Sequence, residues 1–540
     1  MDNGAYSRSL RYLAYFCLIY FAFFVGLDLF RLWGYGYDVV DLGVYHQMIW
    51  NNSRGDFFDC SLIAPYDADS NCLRLHFSIL LSLVVTPIYW VFSHIETLLV
   101  VHVFACTIAA FPIFFAAKQL KLAPNECFFW AFVYLINQLT LYHTMFSLQD
   151  VSLAVPLIAT GMWAVLAKRF RVLLLISIGL ILAKEHFGVT VFGFGLLWAL
   201  YHKEWKKGAI LALLGLAAFY IIVFMIMPIF TAENAHMMIG AAPVDSEFKR
   251  YQWLSLPLPQ LMEALPQVIF NNFNYVYAKN LLLPFLALPL VALIFVLPAG
   301  ADVALTILST FLLQKSITFY YAAPVAPVLT VAACYACYMI GRRFKLAKTI
   351  LLMLILLMNI YLGYQTMKNP ITKLSLALRD KTMDWGTGEQ FAKLQNHIAD
   401  DKKLISFGTE GVLLTNRRVI YSTKIESSLK SADAMVMRLN PIRMNYYGLD
   451  ANYNLASVNA ENYTAGRDKS AKMRLEMLNN MLNSPKWGVT YFDFPWILFE
   501  KGAEDKYDIY KVANEVSYYL DFYYQTRKEQ FSKGVAEGLE

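Results

Sequence analysis

The sequence predicts a mainly α-helical, polytopic membrane protein with a soluble C-terminal α/β domain. Hydrophobic residues make up 58% of the 540-residue chain and charged residues only 16%, a balance far more apolar than that of a soluble protein. Apolar runs long enough to cross a hydrocarbon core of about 30 Å follow one another up to about residue 366. After that point charged and small polar residues become frequent. We therefore expect a transmembrane domain at 1–366 and a soluble domain at 367–540.

The basic residues indicate how the chain is threaded through the membrane. They cluster in short loops between apolar runs, at 8–11, 118–121, 168–171, 203–207 and 342–348. Because Lys and Arg are retained on the cytoplasmic side, these loops are expected inside, and the net charge of +6 reports topology rather than nucleic-acid binding. The intervening connections are then expected outside, at 34–96, 142–150, 184–188, 230–279 and 314–318.

The apolar run from His76 to Phe92 does not fit this alternation. If it crossed the membrane, Lys118 and Lys121 would lie outside, so we predict an outer-face juxtamembrane helix within 34–95, broken at Pro87. The remaining runs give about eleven spans. Because this number is odd and the N-terminus is expected inside, the C-terminal domain is expected on the outer side of a bacterial inner membrane. These spans are expected at roughly 11–33, 97–116, 125–141, 151–167, 172–185, 187–201, 208–228, 281–298, 302–314, 319–340 and 347–366.

The soluble domain shows alternating strand and helix patterns. A helix is expected at 469–482, where the apolar residues recur on one face, and strands are expected at 403–407, 418–421, 455–458 and 489–494. Cys60 and Cys72 lie in the first polar loop and could form a disulfide if that loop faces an oxidising compartment. The other five cysteines lie in or beside apolar runs and are expected to be small core residues.

Three polar residues follow the first span in a pattern that predicts one helical face. Asp38, Asp41 and Tyr45 are spaced at i, i+3 and i+7. A carboxylate in this position could act as a general base or hold a divalent cation through its oxygens. Alternatively, Asp38 caps the helix and Asp41 lies in its first turn, where the helix dipole favours negative charge.

A second group of ionisable residues lies at the outer ends of later helices. Ionisable groups at membrane depth are costly and are therefore functional candidates. Lys184 could pair with Glu185 or bind phosphate, while Glu185 could orient a hydroxyl group or ligate a metal. Asp150 could join the site or cap the helix that starts at 151, and Asp302 is expected in a short inner turn. Further binding-site candidates are Arg74, His76, His186, Lys279, Lys315 and Tyr320. Of these, Lys279, Lys315 and Tyr320 could add contacts to a phosphate or a ring, although Tyr320 could instead anchor in the aromatic belt.

Five further sequence motifs are Asp41-Leu42-Gly43-x-Tyr45-x-Gln47-x-x-Trp50, His76-Phe77-Ser78, Leu182-Ala183-Lys184-Glu185-His186-Phe187-Gly188, Tyr320-Tyr321-Ala322-Ala323-Pro324 and Asn416-Arg417-Arg418-Val419-Ile420-Tyr421. Together they resemble a bacterial membrane family, domain of unknown function 2079. Through it the chain is similar to the GT-C superfamily of polyprenyl-phosphate-sugar-dependent glycosyltransferases. Two departures from the family pattern are present: His186 stands where the family has an acidic residue, and Leu148-Gln149-Asp150 stands for histidine-proline-glutamate.

The resemblance implies a GT-C-like fold and a sugar transfer at the outer face, from a polyprenyl-phosphate donor in the bilayer to a glycan, lipid or protein of the cell envelope. It implies that Asp41 is the base or a metal ligand, with Glu185 and Asp150 as further catalytic candidates. The resemblance also allows a cofactor, a divalent cation held by Asp41 and His76. Two alternatives stay open: a transporter or flippase, and a non-catalytic envelope assembly protein.

Overall fold

The protein is mainly helical, as predicted, with a small sheet near its C-terminus. The computed structural model describes residues 3–34, 36–37, 39–63, 71–230, 250–379, 386–406, 408–422, 425–438, 477–478, 480–493, 495–507 and 512. The chain forms two compact units. Unit 1 comprises Met1–Leu29, Asn52–Phe58 and Asn71–Asn369, and unit 2 comprises Phe30–Asn51, Asp59–Ser70 and Pro370–Glu540. Part of the first polar loop therefore belongs to the same unit as the C-terminal segment.

Helices dominate the first 379 residues. Their order along the chain is α1 (Asn3–Trp33), α2 (Val44–Ser53), α3 (Ile79–Val91), α4 (Glu96–Ile108), α5 (Ala110–Gln119), α6 (Pro124–Ile136), α7 (Gln138–Thr144), α8 (Asp150–Leu166), α9 (Phe170–Ala183), α10 (Phe187–His202), α11 (Trp205–Ile221), α12 (Leu258–Ile269), α13 (Asn272–Leu282), α14 (Leu293–Val296), α15 (Gly300–Leu308), α16 (Val325–Arg343) and α17 (Lys345–Arg379). Shorter helices follow at α18 (Gly386–Gln395), α19 (Gly408–Gly411) and α20 (Ile425–Ser431).

Within the described residues, six helical stretches are long and apolar enough to cross a membrane. They are Gly4–Trp33, Glu96–Gln119, Trp205–Phe230, Leu288–Leu308, Val325–Arg343 and Lys345–Ile371. Helices α3, α8, α9 and α10 are also apolar but shorter. Helix α3 has 13 residues, so at 1.5 Å per residue it is about 20 Å long, less than the hydrocarbon core. It buries Leu81 and Val85, while Leu83 and Trp90 on the opposite side are exposed.

The region from 281 to 314 differs from the prediction. Two spans were expected there around an inner turn at Asp302, but one apolar stretch runs from Leu288 to Leu308. The chain instead turns at Leu286 and Ala287, which both have positive φ angles of 51° and 57°. Pro289 cannot supply a helical N–H group, which favours a break just before the new stretch. Asp302 therefore lies in the first turn of α15 and not between two spans.

Glycines allow α10 and α11 to pack at very short range. Gly188 and Gly195 are seven residues apart on α10, and Gly208 and Gly215 have the same spacing on α11. A Cβ atom on Gly188 would lie 2.5 Å from the Gly215 carbonyl oxygen, and one on Gly195 would lie 2.5 Å from the backbone nitrogen of Ala212. Such small residues let two helix backbones approach closely in a membrane.

Replacing Gly215 with Ala is expected to destabilise the protein by about 1–3 kcal/mol, because the added methyl group overpacks this interface. It would meet the Gly188 carbonyl oxygen and lie 2.7 Å from the backbone nitrogen of Phe192. Thermal unfolding in detergent measures the effect. The matched control is Gly26→Ala in α1, where no atom lies within 4 Å of the new Cβ atom. Equal melting temperatures for the two variants would contradict the close packing.

Unit 2 contains a mixed sheet of five described strands. The strands are β1 (Leu404–Ile405), β2 (Ile420–Tyr421), β3 (Ala434–Arg438), β4 (Trp487–Asp493) and β5 (Trp496–Lys501), in the order β2-β1-β3-β5-β4. Strand β1 is parallel to β2 and β3, whereas β5 is antiparallel to β3 and β4. The sequence predicted β1, β2 and β4 but not β3 or β5. The expected strand at 455–458 lies outside the described residues, as does most of the expected helix at 469–482.

Candidate active site

The motif that begins at Asp41 overlaps a π-helical turn in unit 2. This turn spans Val39–Gly43 and leads directly into α2, so the α-helix expected from residue 38 differs in its first turn. Asp41 lies in the π-helical turn and is partly buried, whereas Asp38 lies outside the described residues. Turns of this kind are rare and often occur at functional sites. The local backbone is compatible with a special role for Asp41.

Other residues of the same motif have a packing role within unit 2. The Gln47 side-chain amide donates to Ser61 Oγ (2.9 Å) and to the carbonyl oxygen of Arg418 (3.0 Å). Ser61 Oγ in turn donates to the Ile420 carbonyl and accepts from the Ile420 N–H, both at 2.8 Å. A Cβ atom on Gly43 would lie 3.1 Å from Thr415 Cγ2. These contacts hold the first loop against residues 415–420. They give Gly43 and Gln47 a structural role that does not require catalysis. Tyr45 is also buried.

Three consecutive ionisable residues form a buried turn in unit 1. Lys184, Glu185 and His186, called the polar turn below, connect α9 to α10 and are at most 8% exposed. Lys184 has an extended backbone conformation that ends α9. Because an unpaired buried charge is very costly, each side chain requires a partner. Each of them has one, and the three partners come from three other segments.

Asp150 is the partner of Lys184. The Lys184 ammonium nitrogen lies 3.1 Å from Asp150 Oδ1 and 3.0 Å from Oδ2. Asp150 Oδ1 also accepts from the backbone N–H of Val151 at 2.8 Å, at the start of α8. Asp150 is the first residue of α8, and Gln149 caps this helix, so the carboxylate forms the ion pair but is not the predicted cap. The sequence offered Glu185 as a partner for Lys184, but the hydrogen bond and ion pair of Lys184 are to Asp150.

His76 is the partner of Glu185. His76 Nδ1 lies 3.0 Å from Glu185 Oε1, and the backbone N–H of Phe77 donates to Oε2 at 3.0 Å. Burial raises the pKa of Glu185, but the charge and hydrogen bond of His76, with the charges of Lys184 and His186, outweigh it. The resulting pKa lies well below the ordinary value of 4.5. Glu185 is therefore ionised at physiological pH.

His186 and Tyr320 complete this cluster, whereas no described side chain of three other candidates contacts it. His186 Nε2 lies 3.0 Å from Asp302 Oδ1, and the Lys184 ammonium lies 5.5 Å from the centre of the Tyr320 ring. Lys315 is buried but donates to the Ile307 carbonyl oxygen at 3.2 Å. The other two are Lys279, which is exposed on α13, and Arg74, whose side chain lies outside the described part of the structure.

The family model described as "Predicted membrane protein (DUF2079)" matches residues 31–487. The chain belongs to this family. The predicted resemblance is thus confirmed over most of the length of this DUF2079 protein. No protein of curated function matches the sequence. A solved structure similar to it is the crystal structure of ArnT from Cupriavidus metallidurans bound to undecaprenyl phosphate. The TM-score is 0.45 with 12% identity, over 91% of this chain and 97% of that one, a likeness too low to carry a functional argument.

The cluster of the DUF2079 protein combines groups for acid–base chemistry with groups that bind anions or metals. Glu185 fixes the orientation of the His76 ring through Nδ1, as carboxylates do for metal-bound histidines. His76 therefore fits the predicted role of a metal ligand through Nε2, with Glu185 behind it instead of on the metal. Its side chain is 19% exposed, compared with 1% for Glu185. His76 is thus the more accessible member of the pair.

Sequence reasoning missed two charged residues of unit 1. Asp302 was assigned to an inner turn, although an acidic residue inside an apolar stretch is itself a sign that a buried partner exists. Arg250 was not singled out. Its guanidinium donates to Gln314 Oε1 and to the Tyr321 hydroxyl, both at 3.3 Å, and lies 4.4 Å from the centre of the Phe311 ring. No sequence motif marks Arg250.

Proposed function

We propose that this DUF2079 protein is a membrane glycosyltransferase. It transfers a sugar from a polyprenyl-phosphate carrier to a cell-envelope acceptor at the outer face of the membrane. The observation that carries the proposal is the polar turn, where three buried ionisable side chains are held by His76, Asp150 and Asp302. Buried groups of this kind are expensive inside a membrane protein and mark functional sites. Lys184 and Glu185 belong to one of the five motifs by which the chain resembles the DUF2079 family.

The chemistry of sugar transfer suits such a cluster. The acceptor oxygen forms a bond to the anomeric carbon while the bond from that carbon to the phosphate oxygen breaks. The polyprenyl phosphate leaves with the negative charge, and a base takes the proton of the acceptor hydroxyl. The leaving phosphate requires nearby positive charge. In this proposal His76, whose ring Glu185 holds through Nδ1, would supply it by holding a divalent cation at Nε2.

The base that takes the proton of the acceptor hydroxyl is not a residue of the polar turn. Asp41 is proposed for this role from the family resemblance, and its position in a π-helical turn supports that assignment. Asp41 belongs to unit 2, whereas the polar turn belongs to unit 1. Asp150 is engaged by Lys184, so in this proposal it orients and neutralises Lys184 and does not accept the proton.

The purified protein is expected to transfer label from one of a panel of polyprenyl-phosphate sugars to an extract of envelope acceptors. Asp41→Asn and His76→Ala should each reduce the product by about 100-fold or more, since each removes a group that acts in the transfer. Asp401→Asn, which changes an exposed carboxylate of unit 2, is the control. The proposal fails if both variants retain wild-type transfer, or if deletion of the protein leaves the envelope glycans unchanged by mass spectrometry.

We also propose that the first polar loop faces the outside of the cell membrane. Cys60 and Cys72 are disulfide-bonded, whereas Cys17, Cys106, Cys127, Cys334 and Cys337 are free. Disulfides persist in oxidising compartments such as the bacterial periplasm. An alkaline phosphatase fused after the last residue should therefore be active, as the outer location of the C-terminal segment requires. An inactive C-terminal fusion, together with an active one in the loop at 203–207, would reverse the topology.

A further inference from the structure

A second buried polar cluster lies in unit 1 and is not used by the proposed reaction. His102 and Cys106 are four residues apart on one face of α4, and His143 lies on α7. One ring nitrogen of each histidine and the Cys106 sulfur all lie within 4.8 Å of one another. The three residues are at most 2% exposed. Among the described residues, this is the group of His, Cys, Asp or Glu side chains placed closely enough to share a metal ion.

The hydrogen bonds of His102 orient its ring. Its Nε2 lies 2.8 Å from the carbonyl oxygen of His143, so this nitrogen carries the proton, because a carbonyl can only accept. The lone pair is then on Nδ1, which lies 2.9 Å from Ser152 Oγ. A backbone carbonyl that fixes the tautomer of a histidine in this way is the usual support of a metal ligand.

The surroundings of His143 are stronger evidence for a metal ligand than those of His102. Both of its ring nitrogens are buried without a hydrogen-bond partner in the described part of the protein. A buried imidazole without partners is unfavourable, and such groups in native structures call for an explanation such as an ion. The ring does pack edge-on against His102 at 4.8 Å, but that contact satisfies neither nitrogen.

We propose that His102, Cys106 and His143 bind one d10 metal ion, Zn²⁺ or Cu⁺. Imidazole and thiolate are the ligands that these ions prefer, whereas Ca²⁺ and Mg²⁺ require oxygen. Binding forms a bond between the metal and the Cys106 sulfur, and the thiol proton is released to solvent. Ser152 gives up its hydrogen bond to Nδ1 of His102, and the side chains close by about an ångström to reach metal–ligand distances near 2.0–2.3 Å.

The proposed ion has a structural role near the polar turn. Ser152 Oγ also accepts from the backbone N–H of Gln149 at 3.0 Å, in the capping box that begins α8. Asp150, the partner of Lys184, lies between these two residues. A metal that joins α4 to α7 beside this helix start therefore holds the segment that carries Asp150. This ion is distinct from any cation bound at His76.

Metal analysis of the full-length protein in detergent tests the proposal. After reconstitution with Zn²⁺ or with Cu⁺ and removal of excess ion, mass spectrometry should find about one ion per chain for one of the two metals. Cys106→Ser and His143→Ala should lower this content at least about tenfold. The control is Cys334→Ser, which changes a free, buried cysteine of α16 and should leave it unchanged. Unchanged content in both cluster variants, or no binding of either ion by the wild type, would overturn the proposal.

If the variants do not fold, X-ray absorption spectroscopy of the metal-loaded wild-type protein tests the proposal instead. A metal bound as proposed shows one sulfur neighbour at about 2.3 Å and imidazole nitrogens at about 2.0 Å. A spectrum with oxygen neighbours alone would contradict this site. The measurement does not depend on sugar transfer, so failure of the glycosyltransferase proposal and failure of the metal proposal can be told apart.

Discussion

Replacing Lys184 with Met is expected to destabilise unit 1 by about 3–5 kcal/mol, because it leaves the buried Asp150 carboxylate without its partner. The two side chains are at most 5% exposed and 3.0 Å apart, so water cannot take over the role of the ammonium group. The charge of Asp150 must then be borne in a poorly polarisable environment, or the carboxyl group must take up a proton. Thermal unfolding in detergent at pH 7 measures the change.

A double-mutant cycle separates the ion pair from a general effect of each substitution. Asp150→Asn alone should also be strongly destabilising, since it leaves the Lys184 charge unpaired. The double variant Lys184→Met/Asp150→Asn should recover much of the loss, because neither charge remains. Lys207→Met, which removes an exposed partner of Glu204 at 2.8 Å, should change the melting temperature little. Additive effects of the two buried substitutions would show that the pair is not coupled.

Replacing Glu185 with Gln is expected to reduce sugar transfer by about 100-fold, although the protein still folds. Glu185 is a positioning residue in our proposal, since it acts through His76. A Gln oxygen can keep the bond from the Phe77 N–H, but its amide group presents N–H groups, not negative charge, to His76 Nδ1. Glu185→Asp should restore part of the activity. Glu263→Gln, on the exposed side of α12, is the control for a change of carboxylate to amide.

The same variant makes a prediction about acid stability. The pKa of Glu185 is lower in the folded protein than its ordinary value of 4.5, so the ionised form stabilises the fold above that pH. This contribution is lost as the pH falls through the lower, folded-state pKa. The difference in melting temperature between wild type and Glu185→Gln should therefore shrink as the pH falls from about 5 into stronger acid. A difference that grows below pH 4.5 would contradict the assigned direction.

Much of the helical architecture could be predicted because it is local. Apolar runs and their breaks define α1, α4, α8 and α16 from neighbouring residues alone. The short α3 was also anticipated from the charges that follow it, but the break predicted at Pro87 is wrong, because the helix continues through that residue. The turn at Leu286 and Ala287 was missed, because the surrounding sequence is apolar on both sides and the chain reverses there by backbone geometry.

The partners within the site could not be predicted, because they are far apart in the chain. Asp150 and Lys184 are 34 residues apart, and His76 and Glu185 are 109 apart, so no periodicity relates them. The sequence singled out all four residues by their cost at membrane depth, and the structure joins them in two pairs. The sequence offered Glu185 as one possible partner of its neighbour Lys184. In the structure, Lys184 pairs with Asp150 and Glu185 pairs with His76. Strands β3 and β5 were missed for the same reason, since strand pairing depends on distant residues.

The bond between Ser61 and Ile420 has a consequence for biosynthesis. The two residues are 359 positions apart, and Ser61 accepts and donates hydrogen bonds at the start of β2. At a synthesis rate of 5–20 residues per second, the loop around Ser61 leaves the ribosome roughly 20–70 s before its binding partner exists. During that interval it must stay soluble and accessible after its flanking helix has been inserted. Ribosome stalling before residue 420 would therefore leave the loop unassembled, a state that cellular quality control can recognise.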